Sequence, residues 1–193
     1  MKITTDVAVN KIDKLCNLFE LLGVVVILLM SFVLQIIYHE IPCPLCLFQR
    51  LGFFGIAIGF LLNLRFGFKP SHYAVVILSA LFTSFVALRQ IALHIVPGTG
   101  SYGDSVLGFH LYTWSFIIAM LILASTTLMM SVDRQYKKNV YRKGNFVGAV
   151  HFLFATTVIL LIINVVSVYL ECGFKTCPEN PTAYHILSYQ QSK

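Results

Sequence analysis

The residues in this chain whose type and spacing invite chemistry are its five cysteines, Cys16, Cys43, Cys46, Cys172 and Cys177. Four of them form two close pairs, Cys43-x-x-Cys46 within "YHEIPCPLCLFQRLGFF" and Cys172-x4-Cys177 near the C-terminus. Thiolate is the nucleophile of disulfide exchange, and both Cys-x-x-Cys spacing and nearby positive charge lower a thiol's pKa. Cys46 falls at the expected start of a helix, whose N-terminus carries about half a positive charge. Arg50 follows at i+4, on the same helical face. Pro42 and Pro44 stiffen the approach and suit the turn before a helix. This reading poises Cys46 beside a cation at the edge of an apolar run and leaves Cys43 freer to meet thiols from water. Two blander readings stand beside it. The pairs could be structural disulfides on extracytoplasmic loops, where such bonds persist. They could also form a four-thiolate zinc site, although the flanks are apolar and no other ligands cluster nearby, so no metal is expected. Four cysteines allow three complete pairings, and spacing alone does not choose among them. Cys16 reads as a small, idle thiol.

A dithiol that cycles needs an electron acceptor. The chain has no Gly-rich dinucleotide motif, and at a membrane boundary the natural acceptor is lipid-soluble, a quinone. Arg50 could hydrogen-bond a quinone oxygen and stabilise the negative charge that builds there on reduction; its plain alternative is a side chain snorkelling to the interface. Arg89 stands in an otherwise apolar run, where an ionisable residue is a functional candidate by default. It is a candidate for the quinone pocket or for pairing with Asp104 or Glu40. His94, five residues on, is a candidate for the quinone head or an interfacial histidine. Gln35 and Asn164 read as interhelical hydrogen-bonding groups worth about 0.6 kcal/mol each.

The elements that must position these residues are membrane spans. Of the 193 residues 58% are hydrophobic and 11% charged, against about a quarter charged in soluble domains; charge that sparse cannot coat a soluble surface. Five apolar runs, at about 18–38, 47–64, 73–96, 107–132 and 146–170, are near the roughly 20 residues a spanning helix needs. The first is long for a cleaved leader and is followed by no small-residue cleavage site. The fourth opens on His110, Tyr112 and Trp114, aromatics suited to the headgroup level. The net charge of +6 does not argue for nucleic acid, because the basic residues fall in short blocks between the runs. Ten of the fourteen Lys and Arg lie in the N-terminal segment, at 65–69 and at 134–143. The positive-inside rule then places the N-terminus inside and the C-terminus outside, with both cysteine pairs on the outer, oxidising side. The expected organisation is a four-span core over 1–132, a basic cytoplasmic loop over 133–145, and a fifth span with a cysteine-bearing tail over 146–193.

Around "PCPLCLFQR" opening the second span, "ALRQ" in the third and "GFHLYTW" opening the fourth, the chain resembles the DsbB family, bacterial inner-membrane thiol oxidases that pass electrons to quinone. The resemblance covers roughly 15–132. It implies an all-α four-helix transmembrane bundle, to which this chain adds a fifth helix. It also implies that Cys43 and Cys46 are the quinone-coupled pair and Arg50 the quinone-site arginine. The outer loop "HIVPGTGSYGDSVLG" has no cysteine, where well-known family oxidases carry a second pair. Cys172 and Cys177 are therefore expected to replace that pair, an inference from topology rather than a family property.

The resulting expectation is a quinone-dependent protein-dithiol oxidase. A periplasmic thioredoxin-like partner of the DsbA kind would reduce Cys172–Cys177, that dithiol would reduce Cys43–Cys46, and the electrons would leave through ubiquinone or menaquinone to the respiratory chain. The rival readings are a membrane scaffold or transporter with structural disulfides, and the same fold run as a quinone-linked reductase or as an oxidase for one client.

Overall fold

The computed structural model describes residues 2–37, 41–96, 105–136, 147–173, 177 and 184, with side chains from residue 12 onward except that of Arg134. Five helices dominate: α1 Lys2–Ile37, α2 Pro44–Phe66, α3 Pro70–His94, α4 Leu111–Met130 and α5 Val147–Cys172. All are long and apolar enough to cross a membrane, α1 over Ile12–Ile37. Large apolar side chains such as Phe19, Leu78, Phe85, Leu128 and Phe152 point outward, each at least 66% exposed. A soluble surface does not carry apolar patches of that extent; a bilayer covers them.

Local sequence sets the helix ends. Pro44 and Pro70 open α2 and α3, where a missing N–H costs nothing. α2 stops at Gly67 (φ 93°), whose N–H returns to Asn63 O at 3.1 Å. α5 stops at Gly173 (φ 61°), whose N–H returns to Tyr169 O at 2.8 Å. Left-handed φ is what glycine supplies at a helix C-terminus.

α2 is the buried centre. Phe53, Phe54, Ile56, Ala57 and Phe60 pack against Leu21, Val24 and Leu28 of α1 and Val76 and Ala80 of α3. Its glycines let α3 approach: a Cβ added at Gly59 would lie 2.5 Å from Val76 Cγ2 and 3.1 Å from His72 O. Gly55 and Gly59 form a Gly-x-x-x-Gly step, the small-residue device of membrane helix pairs. α5 packs on α1 and α2. Its buried residues, Val150, Leu153, Thr157, Leu160, Asn164, Ser167 and Glu171, recur at alternating steps of three and four, a heptad seam. The first half of that seam is mostly apolar and the last half polar.

The fourth span is shorter than the sequence suggests. Residues 105–110 form a hairpin, Ser105–Val106 pairing antiparallel with Phe109–His110. Leu107 (φ 53°) and Gly108 (φ 83°) are its two-residue turn, both with the positive φ of a type I′ connection. Trp114 Nε1 donates to Val106 O at 2.9 Å and meets the Phe109 ring edge-on at 6.0 Å, so apolar residues that read as helix instead close a turn. Most of the basic segment 133–145, and Asp104 and Glu40 proposed to pair with Arg89, lie outside the described residues.

Candidate active site

Cys43 caps α2. Its backbone is extended (φ −69°, ψ 160°) and its Sγ accepts the N–H of Cys46 at 3.2 Å. Pro44 holds the turn, and Cys46, three residues on, comes back over the cap. Cys43 and Cys46 are joined as a disulfide with Cα atoms 5.0 Å apart. Cys43 is buried, 5% exposed, rather than the freer of the two, while Cys46 lines a cavity.

Gln90 of α3 addresses both sulfurs. Its Nε2 donates to Cys43 Sγ at 3.3 Å and lies 3.7 Å from Cys46 Sγ. Gln49 Nε2 donates to Gln90 Oε1 at 2.7 Å, which fixes the amide with its N–H groups toward the disulfide. Donors aimed at sulfur stabilise charge that develops on a departing thiolate. Sequence reading missed this residue, since a glutamine in an apolar helix reads as packing glue.

Arg50 sits one turn beyond Cys46 and is buried, 8% exposed. It donates to Gln35 Oε1 at 2.6 Å and to Ser31 O at 2.9 Å, and its guanidinium lies 4.7 Å over the Phe32 ring. These bonds use two of its five N–H donors. Snorkelling is thereby replaced by anchoring in α1. Gln35 in turn donates through Nε2 to Ser167 Oγ of α5 at 2.8 Å and to Tyr184 OH of the tail at 2.9 Å. Gln35 is thus an interhelical hydrogen-bonding group, as its position in the first span suggests. Asn164 is buried with its Oδ1 lacking a partner among the described residues.

Cys46, Arg50, Gln49 and Gln90 share one cavity of about 110 Å³ between α1, α2, α3 and α4, several times the room one water needs. Its other walls include Ile27, Leu34, Phe53, Leu111 and Tyr112. An apolar slot with a cation and amide donors at one end suits a flat, apolar ring bearing carbonyl oxygens. Tyr112 is stacked between His94 (5.7 Å) and His110 (5.3 Å), so His94 stands behind a wall of the cavity. Arg89 is exposed and is not among the cavity's residues; Gln90, its neighbour, holds the inward face of α3.

The second pair, Cys172–Cys177, is also a disulfide, with Cα atoms 4.7 Å apart. Through Ser167, Gln35 and Arg50 it is tied to the same end of the bundle as Cys43–Cys46. Cys16 is a free, half-buried thiol near the start of the first span.

The fold and this site define a multi-pass helical membrane protein with a helix-capping disulfide opening on an internal cavity. The family model for disulfide bond formation protein DsbB matches residues 13–129, and the chain belongs to that family. It is a membrane thiol oxidoreductase of disulfide-bond formation. No curated protein and no solved structure matches the chain. The family match covers the four-helix core and ends before α5, so the second disulfide lies outside it.

Proposed function

We propose that this protein re-oxidises a thioredoxin-like dithiol partner and delivers the electrons to a membrane quinone. The observation that carries the reading is a single cavity lined by both Cys46 and Arg50, with the Gln90 amide on the disulfide beside it. Arg50, Gln49 and the apolar wall fit a quinone ring, whose chemistry is to accept two electrons and two protons. Cys46, the cysteine in that cavity, is the sulfur suited to pass electrons on. Cys43 then takes the incoming exchange, approached from the cap side. The reduced partner attacks Cys172–Cys177 and leaves as a disulfide; the tail dithiol next reduces Cys43–Cys46, each step passing through a mixed disulfide. His94 supports the Tyr112 wall in this scheme. Arg89 is assigned to the rim, where an exposed guanidinium meets lipid headgroups or a quinone entering from the bilayer.

The basic-residue asymmetry supports an inner-membrane setting with both disulfides on the periplasmic side. Ubiquinone and menaquinone both suit the cavity's chemistry. The test is anaerobic mixing of the purified protein with quinone and a reduced thioredoxin-like partner, following quinone absorbance. Quinone reduction in step with partner oxidation is expected. Redox-inert cysteines and an unchanged spectrum would leave structural disulfides as the better account.

A further inference from the structure

Glu171 is fully buried, at 0% exposure, and neither carboxylate oxygen has a hydrogen-bond partner among the described residues. Native structures rarely bury such a group, and each instance calls for an explanation. Its position supplies one. It directly precedes Cys172 in sequence. It lies one turn beyond Ser167 on the inward seam of α5, and Ser167 is bonded to Gln35, which is bonded to Arg50. A carboxyl group therefore stands between the second disulfide and the arginine of the cavity. The hydroxyls of Ser167 and Tyr184 both accept from Gln35 and each keeps its own proton to donate.

We propose that Glu171 carries a proton from the Cys172–Cys177 pair to the Arg50 end of the cavity. This rests on the functional reading above. Each turnover moves two electrons and two protons: the partner's two S–H bonds break, its disulfide forms, and both protons must reach the acceptor. When the tail dithiol attacks Cys43–Cys46, the Cys172–Cys177 bond re-forms and its thiol protons are released beside Glu171. The carboxylate takes one and the Cys43 sulfur keeps the other; when the Cys43–Cys46 bond re-forms, the Cys43 proton and the Glu171 proton both pass to the acceptor at the Arg50 end of the cavity. The cysteine relay then carries electrons, and α5 carries a proton alongside it.

The titratable groups placed around Glu171 are Arg50 from α2, linked to its seam through Gln35 and Ser167, Tyr184, bonded to the same Gln35, and Cys172, its neighbour on α5, with Cys177 its disulfide partner; Gln35 from α1 does not titrate. The test uses Glu171→Gln, which keeps the shape and removes the exchangeable carboxyl, with Glu171→Asp as partial rescue. In quinone-free protein, infrared difference spectra between oxidised and dithiothreitol-reduced states should show a carboxyl band that moves in the wild type and is missing in Glu171→Gln. Glu171→Asp, which shifts that band, assigns it if the glutamine variant does not fold. With quinone and partner, Glu171→Gln should slow turnover by on the order of 10²-fold and flatten its pH profile, and aspartate should restore part of both. A band that ignores cysteine reduction, or a glutamine variant with wild-type rate and pH profile, would overturn the proton carrier while the wild-type quinone assay still upheld the oxidase.

Discussion

The two ends of this bundle both bury polar side chains, but to opposite effect. At the end away from the disulfides, Asn17 Nδ2 donates to Tyr73 OH (2.9 Å) and Asp13 O (2.9 Å), and Asn63 Nδ2 donates to Asn17 Oδ1 (3.1 Å). Tyr73 OH donates to Gln135 Oε1 (2.9 Å), and Gln135 Nε2 donates to Met129 O (2.6 Å). The amides of Asn17, Asn63 and Gln135 and the Tyr73 hydroxyl all have partners, and the set stitches α1, α2, α3 and the segment after α4 together; beside it Asp13 Oδ2 and Thr126 Oγ1 lack one among the described residues. At the disulfide end the same residue types surround a cavity, and Glu171, Asn164 and the Nδ1 of His110 have unpartnered atoms among the described residues. A closed network specifies packing; an open one, beside a disulfide and a buried arginine, is equipped to bind and react. In a chain this apolar, the mere presence of buried polar groups does not separate the two; the cavity and the disulfide that opens on it do.

The comparison predicts different mutational effects at the two ends. The largest is expected at Arg50. Arg50→Met should lower quinone reduction by about 10²–10³-fold, the loss typical of a removed charge-stabilising donor. Thermal stability should also fall, by about 1–3 kcal/mol, because Gln35 Oε1 and Ser31 O lose their buried donor, so the rate is read on protein shown to be folded. Lysine should rescue only part of the rate, lacking the planar fork of donors. Equal quinone kinetics in Arg50→Met and wild type would remove Arg50 from the site. A smaller effect, on stability alone, is expected at Tyr73. Tyr73→Phe loses one bond given and one received, and should cost about 1–3 kcal/mol of stability, read by denaturation in detergent. Its turnover should stay within about twofold of wild type, since distant sites act independently. A Tyr73→Phe variant that is stable but slow would show that the two ends are coupled and that the contrast is misdrawn.

Much of the core was legible from the chain itself. Hydropathy gave five spans, and Pro42 and Pro44 marked the approach to a helix because proline's fixed φ is a local device; the helix itself opens at Pro44, with Cys43 as its cap. Cys46 and Arg50 shared a face because i and i+4 always do. What stayed hidden depends on neighbours distant in sequence. Gln90 reaches the sulfurs from α3, more than forty residues away, and nothing in "ALRQ" says which of Arg89 and Gln90 faces inward. Glu171 reads as a charge at a span's end until α5 is packed against α1 and α2. Other misses had a signal: Gly55-x-x-x-Gly59 and the three–four spacing along α5 both announce packing faces. The hairpin at 105–110 was masked by Leu107 and Phe109, apolar residues that extended the helical pattern across a turn centred on Gly108.

The central claim is that the two disulfides belong to one electron path, and trapping the exchange between them tests it most directly. In Cys46→Ser the Cys43 thiol has lost its own partner and, on this account, is left to exchange with the tail disulfide. Non-reducing peptide mapping of the purified variant should find Cys43 joined to Cys172 or Cys177, formed in full-length monomer and lost on adding dithiothreitol. Recovery of an intact Cys172–Cys177 bond beside a free Cys43 thiol, even after cycles of reduction and re-oxidation, would contradict the account and leave the tail disulfide as a structural staple on α5.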